Sequence, residues 1–239
     1  MATTTRTEHV TASDGGRFDV RVVLPEAGRG PGLLLPHEIF GITRYIRHRA
    51  GTLAQLGYVV ACPDVFWRLQ PGLDLPHDQE GLTTALGMME RFDFAQGLSD
   101  LDAAFLHLQS LPEVESAGGN AGVIGFCLGG TLAWQMALRV DPATAVCYYG
   151  SGIQPSSGDD VPSCPVLLHF GDDDAYISRE QVDRVADVVA GRPNVELHRY
   201  PGAGHAFDND SPMFHHAGAA AEAWDVTVEF LARTLPVTG

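Results

Sequence analysis

The chain has 239 residues, of which 45% are hydrophobic and 19% are charged, a balance typical of a globular protein. Its formal net charge of −15 argues against nucleic acid or an anionic membrane as a partner, because both require a basic surface. The segment MATTTRTEHV lacks the regions of a signal peptide, and no apolar run reaches the length of a membrane span. Four cysteines without CxxC spacing indicate free thiols, so we expect a cytoplasmic protein: Cys62, Cys127, Cys147 and Cys164.

Predicted strands and helices alternate along the chain. The segment TASDGGRFDVRVVLPE predicts two short strands about a Gly-Gly turn. Five later apolar runs are typical of strands that are covered on both faces of a parallel sheet: 32–37, 58–63, 121–127, 144–150 and 165–171. A sixth predicted strand, at 195–201, alternates more between apolar and polar residues. Helical stretches accompany them: 44–56, 78–90, 94–110, 128–139, 178–190 and 215–233. This alternation predicts one α/β domain over residues 1–239, a mostly parallel sheet with helices on both faces.

A glycine-rich turn follows the third of these runs, in the segment VIGFCLGG at 123–130. With serine in place of Cys127, it would match the Gly-x-Ser-x-Gly turn that presents a nucleophile between a strand and a helix. The N-terminus of the helix that begins at Leu128 would favour the thiolate form of Cys127. The alternatives are a buried structural cysteine or a nucleotide-binding turn, although GFCLGG does not supply the Gly-x-Gly-x-x-Gly pattern.

A nucleophile on such a turn needs a carboxylate and a histidine later in the chain. His205, in the segment YPGAGHAFDND, follows the last predicted strand in a glycine-rich loop and is the candidate base. His37 and His169 are rivals because they also end strands. His215 and His216 lie on the final predicted helix, and we expect them at the surface.

The candidate acids are three consecutive carboxylates in the segment HFGDDDAYIS: Asp172, Asp173 and Asp174. One of them must reach the ring N–H of His205 to fix its tautomer, and the residue types alone leave the choice open. The alternatives are a solvated turn or an acidic loop that holds a metal ion. Since no histidine or carboxylate lies at a recognisable ligand spacing, we expect neither a metal nor a cofactor.

Several segments in order resemble the dienelactone hydrolase (carboxymethylenebutenolidase) family of the α/β-hydrolases: LLLPHEIFGI, GYVVACPDVFWR, FDFAQGLSDLDAAF, VIGFCLGGTLAW, AVCYYG, HFGDDDAYIS and GAGHAFDN. The resemblance extends over residues 10–233. It implies an α/β-hydrolase fold and hydrolysis of dienelactone, or of a related lactone or ester, as in the breakdown of catechols and chlorocatechols.

The resemblance also implies roles for individual residues. The nucleophile corresponds to Cys127 and the base to His205. Of the three carboxylates, the family pattern selects Asp174 as the triad acid. The glutamate of the EIFG segment corresponds to Glu38, which in the family keeps the thiol neutral until substrate arrives. A cysteine suits this arrangement because a thiol needs less help than a hydroxyl to become a nucleophile.

The oxyanion of the reaction needs two backbone N–H donors. The residue after the nucleophile, Leu128, supplies one of them. A second donor is expected from the loop after the strand at 32–37, and the resemblance assigns it to Ile39. Five further residues are candidates for the pocket wall: Phe40, Trp67, Tyr148, Phe207 and Asn209.

The chain departs from the family at the two arginines that bind the carboxylate of dienelactone. Asn209 and Leu82 stand at those positions, although Arg44, Arg68 or Arg91 could supply a displaced arginine. An alternative function is therefore a carboxylesterase or thioesterase that acts on a different small, neutral ester. A non-catalytic ligand-binding protein is the remaining alternative. We expect a monomer or a small homo-oligomer.

Overall fold

The computed structural model of the protein describes residues 3–115 and 121–237. In these segments eight strands form one sheet: β1 (Thr4–Thr11), β2 (Arg17–Leu24), β3 (Gly32–Leu34), β4 (Val59–Pro63), β5 (Gly122–Phe126), β6 (Ala145–Tyr148), β7 (Val166–Gly171) and β8 (Val195–Tyr200). The same segments contain six α-helices: α1 (Arg44–Gln55), α2 (Gln79–Met89), α3 (Phe94–Ser110), α4 (Leu128–Val140), α5 (Arg179–Val189) and α6 (Ala217–Thr234). None of these helices is both long and apolar enough to cross a membrane.

The sheet is mostly parallel, as the sequence predicts. Its strand order is β1-β2-β4-β3-β5-β6-β7-β8. The β1–β2 and β2–β4 pairs are antiparallel, and every other neighbouring pair of these eight strands is parallel. All residues of β4, β5, β6 and β7 are buried, which explains why these strands appear in the sequence as continuous apolar runs. The predicted α/β fold is confirmed.

The first strand differs from the prediction. The structure contains the hairpin about the Gly-Gly turn, but β1 begins at Thr4, upstream of the predicted segment. Most residues of β1 are exposed or half-buried, because it is the edge strand and pairs only with β2 among the strands described. An edge strand with threonine, arginine and glutamate side chains lacks the apolar signal by which the central strands are predicted.

The direction of the chain across the sheet reverses at β3 and β5, which are neighbours. From β3 the chain continues to β4 on one side, and from β5 it continues to β6 on the other. Right-handed crossovers therefore place α1 and α4 on opposite faces of the sheet. The guanidinium of Arg49 on α1 lies 4.4 Å from the ring of Trp224, so α6 shares the face of α1. The carboxyl ends of β3 and β5 border the crevice in which such sheets bind ligands.

The turn between β5 and α4 requires very close backbone contacts. Cys127 has φ 56° and ψ −116°, a backbone conformation that residues other than glycine rarely adopt. A Cβ atom at Gly125 would lie 2.0 Å from the carbonyl oxygen of Gly129, and one at Gly129 would lie 2.1 Å from that of Pro36. Both positions therefore require glycine, and the turn can form only where these backbones approach each other.

Substitution of Gly125 by alanine is expected to destabilise the protein by about 1–3 kcal/mol or more, because the new methyl group has no space. Gly51→Ala is the matched control. Gly51 lies inside α1, and a Cβ atom there would meet nothing within 4 Å. The control is expected to gain about 0.5–1 kcal/mol, since alanine restricts the unfolded chain. Urea unfolding followed by circular dichroism measures both changes. Equal stability of Gly125→Ala and wild type would contradict this description of the turn.

Candidate active site

Loops at the carboxyl edge of the sheet bring three predicted site residues into contact. Cys127 follows β5, Asp174 lies after β7, and His205 lies after β8. The Sγ atom of Cys127 lies 3.2 Å from Nε2 of His205. The Nδ1 atom of His205 lies 2.8 Å from Oδ2 of Asp174. These residues meet although they are far apart in sequence, because the carboxyl ends of parallel strands lie at the same edge.

The loop after β7 holds Asp174 in one orientation. Its Oδ1 atom accepts hydrogen bonds from the backbone N–H groups of Tyr176, at 2.7 Å, and Ile177, at 3.0 Å. The Asp174 side chain is fully buried, and Oδ2 remains for the ring of His205. Because a carboxylate accepts this bond, Nδ1 of His205 carries the proton and Nε2 faces the thiol.

The two neighbouring carboxylates have other partners. Asp172 lies 2.7 Å from Nε of Arg199, and Asp173 lies 2.6 Å from the guanidinium of Arg179. Of the three candidate acids, Asp174 is thus the one that contacts His205. In the part of the chain that the structure describes, no group of three or more histidine, cysteine or carboxylate side chains is placed to hold a metal ion.

The two rival histidines lie within the protein core. His37 is fully buried, and its Nε2 accepts the backbone N–H of Val65 at 2.9 Å. Its Nδ1 therefore donates to the carbonyl oxygen of Glu38, at 2.6 Å, and fixes the loop after β3. His169 is also fully buried, and burial holds its pKa well below the usual value for histidine. Both rings support the fold and do not contact the thiol of Cys127.

Charges on either side of His205 determine its protonation. Burial lowers the pKa of His205, but the Cys127 thiolate and the Asp174 carboxylate oppose this effect and raise the pKa to about 10. Both neighbours are negative when ionised, and each stabilises the imidazolium form. The arrangement therefore favours a thiolate–imidazolium ion pair.

We expect the ring of His205 to stay protonated through pH 8, because its pKa of about 10 lies above that pH. In Cys127→Ser the hydroxyl stays neutral, so the midpoint of the His205 titration should move to lower pH. Asp174→Asn should have an effect of the same sign. Nitrogen-15 NMR of the imidazole measures each titration. His169 is the internal control, because its buried ring stays neutral. A wild-type midpoint near the ordinary histidine value would contradict the ion pair.

Cys127 opens into a cavity of about 510 Å³. Its lining comes from helices α2, α3 and α4 and from the segments after β3, β5, β6, β7 and β8. The lining residues are Glu38, Ile39, Phe40, Leu82, Leu86, Met89, Phe94, Leu98, Cys127, Leu128, Thr131, Gln135, Ser151, Gly152, Tyr176, His205, Ala206 and Phe214. This volume is sufficient for a small organic molecule. The predicted oxyanion donors, Ile39 and Leu128, both border the cavity beside the thiol. Leu128 is the first residue of α4, where a backbone N–H has no acceptor within the helix.

Glu38 also borders the cavity, but its hydrogen bonds go to residues other than the thiol. It is 1% exposed, and its Oε1 atom lies 2.5 Å from Nε2 of His77 and 3.4 Å from Oγ1 of Thr43. The amide of Asn209 donates to Oε2 at 3.1 Å. His77 is a site residue that the sequence analysis missed. It immediately precedes Asp78, which caps α2, and no motif marks it.

Asn209 lies behind Glu38 and is not part of the cavity wall. Its Oδ1 atom accepts the backbone N–H of Ser211 at 2.9 Å. This bond turns Nδ2 towards Glu38 and makes the amide a donor to the carboxylate. Asn209 therefore does not border the pocket, contrary to the prediction.

Of the aromatic residues predicted for the pocket, Phe40 lines the cavity. The other three lie elsewhere. Trp67 stacks against a ring of β2 and donates from Nε1 to Asp100, at 2.8 Å. Tyr148 and Phe207 are fully buried in the core, where their rings pack against other aromatic side chains. The predictions for Trp67, Tyr148 and Phe207 were wrong, because these side chains point into layers that the cavity does not reach.

A double-mutant cycle tests the bond between Glu38 and His77. We expect His77→Phe alone to cost about 1–3 kcal/mol of stability, because it removes the shortest hydrogen bond of a buried carboxylate oxygen. Glu38→Gln alone and the double variant complete the cycle. Urea unfolding should give a coupling free energy of about 0.5–3 kcal/mol, as for residues in one network. Additive effects of the two substitutions would show that the contact makes no contribution.

Comparison with known proteins identifies the family. Residues 18–235 match the model of the dienelactone hydrolase family. A carboxymethylenebutenolidase from Pseudomonas sp. (strain P51) is 33% identical over 230 residues, 95% of each chain. Carboxymethylenebutenolidase 1 from Cupriavidus pinatubonensis (strain JMP 134 / LMG 1197) is 34% identical over 230 residues, 93% of this chain and 94% of the relative.

A solved structure has the same fold. It is that of a dienelactone hydrolase-like promiscuous phosphotriesterase from metagenomic libraries, with a TM-score of 0.80 and 23% identity. The match covers 98% of this chain and 100% of the other. The family model and the two relatives confirm the resemblance seen in the sequence. The chain therefore belongs to the dienelactone hydrolase family and is a carboxylic-ester hydrolase.

Proposed function

We propose that the protein hydrolyses a lactone or an acyclic carboxylic ester by acyl transfer to Cys127. His205 acts as the base, and Asp174 orients it. The observation that carries this proposal is the unbroken series of contacts from Sγ of Cys127 through His205 to Asp174 at the wall of a cavity. A protein that only binds a ligand has no need for these three groups in this order.

The reaction has two steps. The thiolate of Cys127 attacks the carbonyl carbon, and the electron pair of the carbonyl bond moves to oxygen. Collapse of this intermediate breaks the bond to the leaving alcohol or enol, which takes the proton of the His205 imidazolium. Neutral His205 then removes a proton from water as the water attacks the thioester. Release of the acid restores the thiolate and the imidazolium.

Backbone N–H groups stabilise the negative oxygen in both steps. We assign this role to Leu128 and Ile39, which border the same cavity as Cys127. Such donors act only once charge has developed on the oxygen, and loss of one costs about 10²–10³-fold in rate. The hydrogen bond from His37 to the carbonyl of Glu38 supports this role, because that carbonyl and the N–H of Ile39 belong to the same peptide group.

The gating of the thiol by Glu38 stays a prediction. A carboxylate on the same cavity opposes a second negative charge on Cys127, whereas the imidazolium of His205 favours it. The contacts of Glu38 with His77, Thr43 and Asn209 hold it apart from the thiol. A protonated His205 at pH 8 would mean an ion pair at rest, and a neutral ring would mean that the effect of Glu38 prevails.

A simple ester such as p-nitrophenyl acetate tests the proposal. We expect a burst of p-nitrophenol equal to the enzyme concentration, with the acetyl group on the peptide that contains Cys127. Cys127→Ala should lack the burst and lose about 10⁴–10⁶-fold in kcat/KM, as expected for a missing nucleophile. Rapid quenching followed by peptide mass spectrometry locates the acetyl group.

Cys164→Ala is the matched control. Cys164 is 6% exposed, and burial raises the pKa of its thiol to about 12, so it should not react. This variant should keep the burst. An acetyl group on another residue, or full activity in Cys127→Ala, would overturn the proposed nucleophile.

A further inference from the structure

The lining of the cavity indicates which esters it accepts. We propose that the substrate is a neutral ester or lactone whose acyl or alcohol part is apolar, and that an anionic substrate such as dienelactone is disfavoured. This inference rests on the proposed hydrolysis by Cys127 and names the substrate class of the same site. Four observations support it: the wide apolar face of α2, the exposed apolar rim, the positions of the arginines and the ionisable groups of the wall.

Helix α2 has one wide apolar face that serves two purposes. Ala85 and Met88, at one edge of this face, are buried in the protein. Leu82, Leu86 and Met89, at its other edge, line the cavity. The apolar stripe of a surface helix usually packs against the core. The edge of α2 that faces the cavity has empty volume before it, so its partner is expected to be an apolar group of the substrate.

The mouth of the cavity exposes large apolar side chains. Leu86, Phe94 and Tyr176 are 44%, 40% and 52% exposed, and all three line the cavity. An apolar group that covers them removes this surface from water, which favours binding. A carboxylate in the same place would lose its hydration without gaining a partner. The rim therefore favours a hydrocarbon or aromatic group over a charged one.

The lining residues that the structure describes include no unpaired, positively charged side chain that could bind an anionic substrate. The chain contains no lysine, so a permanently charged partner for an anion would have to be an arginine, and no arginine lies among the lining residues described. The imidazolium of His205 on this wall is already in contact with Cys127 and Asp174. Arg91 is exposed, just beyond the end of α2. Three other arginines near the site pair with carboxylates: Arg44 with Asp210, Arg49 with Asp208, and Arg68 with Asp14 and Asp100.

The ionisable groups of the wall strengthen this conclusion. They are Glu38, Cys127 and His205. The last two balance each other as an ion pair, and the carboxylate of Glu38 adds negative potential. The remaining polar side chains of the wall are neutral: Thr131, Gln135, Ser151 and Tyr176. They can hydrogen-bond an ester oxygen but cannot neutralise a carboxylate.

A matched pair of esters tests the proposal. p-Nitrophenyl pentanoate and mono-p-nitrophenyl glutarate share the reacting group and have acyl chains of equal length, but only the glutarate ends in a carboxylate. We expect wild-type kcat/KM to be at least about 10²-fold higher for the pentanoate, because the unpaired carboxylate must be desolvated. The spontaneous rate of each ester without enzyme is subtracted, since the glutarate also reacts by attack of its own carboxylate. Equilibrium binding of both esters to Cys127→Ala should show the same preference without turnover.

Leu82→Arg should reduce this ratio by placing a guanidinium on the cavity wall. Leu82→Gln is the matched control, because it is polar but uncharged. It should lower kcat/KM for the pentanoate without raising it for the glutarate. Thermal unfolding verifies that both variants fold, and the wild-type comparison does not depend on either of them.

The possible outcomes distinguish a failure of the proposed substrate class from a failure of the proposed hydrolysis by Cys127. Equal or preferred turnover of the glutarate by wild type would overturn the substrate class and leave the role of Cys127 intact. Equally tight binding of both esters to Cys127→Ala would also overturn the substrate class. Failure of folded, reduced enzyme to turn over either ester, with no acyl group on Cys127, would instead overturn the proposed hydrolysis. A neutral preference that is lost in Leu82→Arg but kept in Leu82→Gln would support the assignment.

Discussion

The site depends on the close backbone contacts of the turn at Cys127. The positive φ of this residue is costly, and the surrounding hydrogen bonds must hold it in place. The N–H of Cys127 donates to the carbonyl of Tyr148 at 3.1 Å, and the N–H of Thr131 donates to the carbonyl of Cys127 at 3.1 Å. These bonds tie the turn to β6 and to α4. The thiol and the first N–H of the helix therefore share one rigid unit, so a nucleophile and an oxyanion donor are positioned by the same strained turn.

Two separate carboxylate–histidine pairs lie around this turn. Asp174 bonds His205, which contacts the thiol, whereas Glu38 bonds His77, which does not contact it. Each carboxylate is buried and thus needs a partner, since an unpaired buried charge is strongly destabilising. Separate partners keep Glu38 from competing with Cys127 for His205. The second pair allows a negative group on the cavity wall without disturbing the geometry of the first.

Much of the site could be predicted from the sequence, because strand ends of a parallel sheet converge. The positions of Cys127 and His205 follow from that rule, and the resemblance selects Asp174 from its neighbours. The bond between His77 and Glu38 could not be predicted, since it joins loops 39 residues apart without a motif. Neither could the placement of Trp67, because an aromatic residue in a loop has no periodicity to indicate which layer it enters. Edge strand β1 was missed in part because its residues are mostly polar.

Asn209 and Leu82, at the two positions where the resemblance implies arginine, have a common consequence. Asn209 donates from a neutral amide to Glu38, and the ring of His77 is the other contact of this carboxylate at short range. Leu82 adds an alkyl group to the cavity wall. A single restored arginine at position 209 would be drawn to Glu38, and an anion would still meet an apolar wall at position 82. Position 82 borders the cavity and position 209 does not, so a guanidinium at position 82 is the one that could reach a bound anion. The thiol, imidazole and carboxylate of the triad bond to neither residue. The fold keeps its chemistry while these two side chains change which ester can approach it.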